Sequence, residues 1–159
     1  MEIDLDADIK PNNGLANLQL RRNIAELDSL LLPLAFSQTR AYELVSLYEA
    51  CYRLAMGAVE VVADVRNGKV FRLTAREGYR GALCRQIRVG MLVSAAMQIE
   101  SRLRYEEANA LLVMEGVPGV ALNVDAVDPP PHIVPSLRIS AISVYAGEID
   151  SREGQQGLW

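Results

Sequence analysis

The sequence is poor in the residues that most enzyme chemistry requires: among 159 residues there are one histidine, two cysteines and one tryptophan. A zinc site gathers three or four nitrogen, sulfur or carboxylate ligands. His132, alone after Pro129-Pro130-Pro131, has no second histidine and no close cysteine pair to join it. No metal site and no cofactor is expected. The same histidine has no GxSxG-like turn to serve, so a Ser–His–Asp triad is not expected either. Gly116-Val117-Pro118-Gly119-Val120 lacks the lysine and the helix start of a phosphate-binding loop. Cys51 and Cys84 are too few for a disulfide framework. Their contexts, EACYRL and GALCRQI, read as strand interiors, so both thiols are expected reduced and buried.

Long apolar runs are missing too. None approaches the ~18 residues of a membrane span. The opening MEIDLDADIK has neither the basic n-region nor the apolar h-region of a signal peptide. A cytoplasmic protein without a membrane partner is therefore expected. The formal charge of −4 argues against nucleic acid, which calls for a basic face. Hydrophobic residues make up 50% of the chain, enough for a core in one domain or in two half-domains that share it.

What is present is periodicity, and it occurs twice. Gln86 to Val89 alternates like a short strand, Gly90 suits a corner, and Met91 to Ile99 carries helical spacing. Upstream, Leu18, Leu20, Ile24, Leu27 and Leu30 stand where Ile87, Val89, Val93, Ala96 and Ile99 stand, 69 positions apart. That helix spans about Arg22 to Leu31, with Pro33 ending it. A connector to Arg40 follows, then a long strand in which Tyr42, Tyr48 and Tyr52 share a face. Met56-Gly57 turns the chain into a strand from Val59 to Val65. Arg66-Asn67-Gly68-Lys69 is a hairpin turn, and Val70 to Ala75 closes a meander. The second copy predicts a long strand from Tyr105 to Met114, then Val120 to Val124 and Arg138 to Tyr145. In the middle of each copy Arg53 aligns with Val113, and Val59 and Val61 with Gly119 and Ala121. Residues 2 to 9 read as an edge strand with an acidic outer face.

The expected fold class is α+β: two tandem units, each a helix packed on a three-stranded antiparallel sheet, related by internal duplication. Residues 1–76 form the first unit, 77–82 a linker, 83–146 the second unit and 147–159 a polar tail ending in Trp159. The stretches Leu18 to Leu31 and Ile87 to Ile99, each followed by a meander, resemble the beta-lactamase inhibitory protein family. Ile87-Arg88-Val89-Gly90-Met91 before a short helix, then Tyr105-Glu106-Glu107, is similar to the envelope assembly lipoproteins that carry a single such unit. Both resemblances imply a helix-on-sheet fold, and in general appearance the chain is similar to the small acidic cytosolic immunity proteins that neutralise bacterial toxins.

The residues most suited to binding lie on the first meander: Tyr48, Glu49, Tyr52, Arg53, Glu60 and Asp64. Tyrosine gives large, stiff, amphipathic contact area, and the carboxylates would steer a basic partner. The leading expectation is a non-catalytic immunity protein that occludes the active or substrate-binding surface of a basic toxin. Two alternatives stand beside it. One is a self-associating module, a homodimer closed by the Ile3 to Ile9 edge. The other is a small enzyme using Glu60 and Asp64, which share a strand face; Glu106 and Glu107, being adjacent, do not.

Overall fold

The computed structural model describes residues 1–36 and 41–159. Among these residues there are ten strands: β1 Gly14–Leu15, β2 Leu18–Gln19, β3 Tyr42–Leu44, β4 Glu49–Leu54, β5 Val59–Asp64, β6 Val70–Ala75, β7 Leu103–Glu106, β8 Leu111–Met114, β9 Val120–Val124 and β10 Ile139–Tyr145. The helices are short: α1 Asp28–Ala35, α2 Val93–Ile99 and α3 Arg152–Gln155. Strands β1 and β2 pair with each other, and the other eight form a single antiparallel sheet in the order β3-β4-β5-β6-β10-β9-β8-β7.

This overturns the expected pair of helix-plus-three-strand units. Each long strand breaks into a hairpin. Between β3 and β4 the Ser46 hydroxyl accepts from the Tyr48 N–H at 3.2 Å, forming a tight side-chain turn. Between β7 and β8, Ala110 takes the left-handed conformation with φ 53°. An apolar alternation that runs through a short turn looks like one strand in sequence. The two meanders then share one sheet, because β6 pairs directly with β10.

The seam between β6 and β10 has two-fold geometry. Thr74 faces Ser143, 69 residues away, with their hydroxyls 2.8 Å apart. Ala75 faces Ile142 and Leu73 faces Val144, so a shift of 69 residues exchanges these pairs. The same shift carries the Asn23–Lys69 bridge onto Leu92–Arg138. It also carries the Val70 N–H to Arg22 carbonyl bond onto Ile139 to Met91. In the inner strands the register places Val59 and Val61 with Val120 and Leu122. That is one residue beyond the Gly119 and Ala121 expected from sequence; Arg53 does match Val113.

Other expectations shift for local reasons. An Asn23 capping box with Glu26 starts a 3-10 turn, Ile24–Leu27, that leads into α1. Pro33 lies inside α1, at the cost of one backbone hydrogen bond. Residues 2 to 8 form no strand. They run beside residues 80–83, where Leu5 accepts from the N–H groups of Arg80 and Gly81, and Ile9 bridges Leu83. Gln86 to Val89 contributes only the Leu83–Ile87 bridge. Cys84 is exposed rather than buried. It and Arg85 have φ of 52° and 62°, as Ala16 and Asn17 have 56° and 65°, the two positive angles of a primed hairpin turn.

The main core lies on one face of the sheet, where Val59, Val61, Leu73, Leu112, Leu122, Ile142 and Val144 are fully enclosed with Val93 and Ala96 of α2. Burying each aliphatic side chain of this kind contributes about 1.5–3 kcal/mol. Tyr79, from the stretch read as a linker, is part of this core. Its hydroxyl donates to the Ala7 carbonyl at 2.8 Å and accepts from the Ala16 N–H at 2.8 Å. Burial pushes its pKa up to about 12. Tyr79→Phe strands a buried N–H and a carbonyl and is expected to cost about 1–3 kcal/mol. Urea unfolding would show this as a lower midpoint at unchanged slope.

Candidate functional site

The functional candidates lie on the second face of the sheet and at its β3 edge. Side chains alternate across a strand, so residues flanking the core positions point to the second face. The strand register lines up Arg53, Glu60, Thr74, Ser143, Ala121, Val113 and Arg104 in one row from β4 to β7. The row changes character at the seam. In the first half it is an ion-pair chain: Glu43–Arg53 at 2.7 Å, Arg53–Glu60 at 3.4 Å and Glu60–Arg76 at 3.0 Å. The hydrogen bond to Glu43 raises the Arg53 pKa. Past the seam Ser143, Ala121 and Val113 floor an open groove of about 430 Å³, and the exposed Arg104 ends the row. Leu111, Val113, Ala121, Asn123 and Tyr145 line that groove, with Glu106 at one end.

Residues 146–159 cover the other part of the second face. Trp159 and Ile149 pack on Cys51, Val62, Phe71 and Ala146, and the Trp159 ring meets Phe71 edge-on at 6.4 Å. Asp64 is the anchor and is completely buried. Its carboxylate accepts from Arg66 Nε and Nη2, both at 2.8 Å, from the Arg66 N–H at 3.0 Å, and from Trp159 Nε1 at 3.0 Å. Burial alone would raise its pKa, but these bonds hold it down at about 2. Arg66 in turn donates to the carbonyls of Gln155 and Gly154 and lies 4.5 Å over the Tyr48 ring. Lys69 Nζ donates to the Trp159 carbonyl. Burial also pushes the Cys51 thiol up, with Glu60 adding to the shift.

The six residues chosen from sequence therefore separate. Arg53 and Glu60 sit together in the ion-pair chain. Glu49 faces Asp64 across β4 and β5, but Asp64 is sealed under residues 154–159 and presents nothing to a partner. Tyr52 turns to the core side, where its ring lies 5.1 Å from that of Tyr42. Tyr48 belongs to the hairpin turn and is 51% exposed. The carboxylates proposed for catalysis do share a face, but each is matched to arginine. A general acid or base works best with a pKa near the working pH, and Asp64 is held far below it. Among the described residues, no group of three or more His, Cys, Asp or Glu is placed to hold a metal ion. No helix among them is long and apolar enough to cross a membrane.

The sequence reading missed the β3 edge. Tyr42 and Leu44 are each more than half exposed, and in the adjoining turn Val45 is 50% and Leu47 80% exposed; Val65 beside it is 47% exposed. Bonds from the Arg53 N–H to Ala41 and from the Val45 N–H to Glu49 fix the alternation. They leave the N–H and C=O groups of Tyr42 and Leu44 directed away from β4. The opposite edge is more covered. Leu103 of β7 is buried and its N–H reaches Glu100, while the Tyr105 hydroxyl donates to the Pro129 carbonyl at 2.8 Å. A serine at position 46, inside an apolar alternation too long for one strand, was the available clue to the turn.

No family model and no curated protein matches the chain. Among solved structures, the chain is similar to that titled "Crystal structure of the uncharacterized protein yfeY from Escherichia coli". The TM-score is 0.53 at 11% identity, over 88% of this chain and 99% of that one. At that identity the likeness shows a shared fold and nothing of function.

Proposed function

We propose that this chain is a non-catalytic protein-binding protein. In its most concrete form it is a bacterial immunity protein that acts in the cytoplasm by covering the working surface of a toxin domain. The observation that carries the reading is the open β3 end, where Tyr42, Leu44, Val45, Leu47 and Tyr48 are all half or more exposed. Exposed apolar clusters of this kind mark interaction sites, and β3, which has no strand on its outer side among the described residues, offers main-chain bonds to an incoming chain. Glu49, which follows the turn, adds a negative charge that suits a basic partner. Inhibition would be by occlusion, with no bond made or broken by this chain. Co-expression with the product of the adjacent gene, read by gel filtration and by rescue of growth, tests it. A one-to-one complex with rescue is expected, and Leu47→Asp should weaken it at least tenfold, consistent with loss of an interface anchor. No complex and no rescue would remove the immunity reading. A concentration-dependent dimer with no foreign partner would transfer the edge to self-association.

A further inference from the structure

The two-fold relation between the halves lets their outermost strands be compared position by position. On β4 and β8, Tyr52 and Leu112 occupy equivalent places, opposite Val61 and Leu122. Tyr42 stands opposite Tyr52, and Tyr105 opposite Leu112. Tyr42 and Tyr105 are thus the same position in the two halves, each on the outermost strand and on the core side of the sheet. Their surroundings differ. Tyr105 is seated under the loop 126–136, which bridges β9 and β10. Its hydroxyl is satisfied by the Pro129 carbonyl, Pro129 is buried, and Val134 of the same loop is 1% exposed in a 3-10 turn that packs on α2. In the first half the corresponding connection is the tight turn between β5 and β6, which has no residues to spare for a cover. Tyr42 is accordingly 54% exposed, and its hydroxyl has no hydrogen-bond partner among the described residues.

Resting on the protein-binding reading above, we infer that the Tyr42 edge takes an extended, proline-containing segment of the partner protein, which supplies in trans the cover that residues 126–136 supply to Tyr105 in cis. The chemistry fits such an occupant. A proline carbonyl accepts strongly although its nitrogen cannot donate. The Tyr42 hydroxyl and the outward N–H groups of Tyr42 and Leu44 need acceptors, which proline carbonyls provide, and the outward C=O groups of Tyr42 and Leu44 need donors, which the other residues of such a segment provide. Extended proline segments lose little entropy on docking and pack well on tyrosine rings. The exposed Tyr42 ring, tilted 47° against that of Tyr52 with the centroids 5.1 Å apart, is such a platform.

The test uses the full chain and a synthetic peptide with the sequence of residues 126–136, AVDPPPHIVPS, followed by NMR titration. Saturable shifts at Tyr42, Leu44 and Tyr52 are expected. Tyr42→Phe keeps the ring but removes the hydroxyl, and should weaken binding about five- to tenfold. A peptide with its three adjacent prolines changed to alanine should bind more weakly. Failure to bind at millimolar peptide, shifts confined to the Tyr105 edge, or a Tyr42→Phe affinity equal to wild type would each overturn the inference. The broader reading is scored separately. A toxin complex that forms but is not displaced by the peptide removes the proline-segment inference and leaves protein binding intact. Peptide binding at Tyr42 with no foreign complex keeps the site and removes immunity. Peptide that instead dissolves a dimer places the segment in a second copy of this chain and overturns its assignment to a foreign partner.

Discussion

Asp64→Ala is expected to lower the unfolding free energy by about 3–5 kcal/mol, the usual cost of removing one partner from a buried ion pair. The substitution leaves the Arg66 guanidinium, Trp159 Nε1 and the Arg66 N–H without their common acceptor. Arg66 also ties down the carbonyls of Gly154 and Gln155, so the loss spreads to the whole of residues 147–159. Trp159 is the only tryptophan, and its emission reports directly on whether its ring still packs on Phe71. A red-shifted native-state emission together with a lower denaturant midpoint is the expected result. Unchanged emission and a midpoint within about 0.5 kcal/mol of wild type, the size of an ordinary surface substitution, would show that Asp64 does not anchor the segment.

The same carboxyl sets the acid limb of stability. Its folded pKa is about 2, below the ordinary aspartate value of 3.8, so the unfolded state binds the proton more readily. Stability from this group is therefore complete above about pH 4 and drains away as pH falls toward 2. Asp64→Asn keeps the shape and one acceptor oxygen but cannot titrate. Its stability is lower at pH 7, and its curve between pH 4 and 2 is flatter than wild type. Parallel curves for the two proteins across that window would assign acid sensitivity to other groups.

The hydrophobic pattern of single strands was legible from sequence, whereas the way they assemble was not. Strands β5, β6, β9 and β10 lie where alternation placed them, to within a residue or so, because one of their faces is a dry core and the pattern must obey it. The β3–β4 and β7–β8 hairpins were hidden. Their turns at residues 45–48 and 107–110 contain no Gly or Pro: the first is built on Ser46, and the second puts Ala110, not the neighbouring Asn109, in the left-handed conformation. The Asp64 anchor was hidden for a different reason. An acidic residue on an alternating strand reads as a solvent-facing charge, and only contact with Arg66 and a tryptophan 95 positions away makes it a buried one. The open edge was hidden together with the β3–β4 turn. With Tyr42 and Tyr48 placed in one strand, Leu44, Val45 and Leu47 fell within a sheet instead of at its end.

Ile142→Ala decides whether the halves are one folding unit. Ile142 is fully buried on β10, facing Ala75 across the seam and Leu122 within its own half. Truncating it leaves a cavity between two layers that cannot easily collapse, and the expected cost is about 2–5 kcal/mol. The location of the probe makes the experiment informative beyond that figure. Trp159 packs on Phe71 and Asp64, residues of the first meander, and Ile142 belongs to the second. In two separately stable units, damage at Ile142 would leave the tryptophan transition where it was and move only the part of the far-ultraviolet circular dichroism due to the second half. In one continuous sheet, β6 loses its neighbour when β10 fails, and the first meander cannot keep its face buried alone. Coincident transitions by both probes are the mark of all-or-none unfolding, and they should shift together in the variant. A tryptophan transition that stays at the wild-type midpoint would mean that the seam through Thr74 and Ser143 joins two cores instead of running through one.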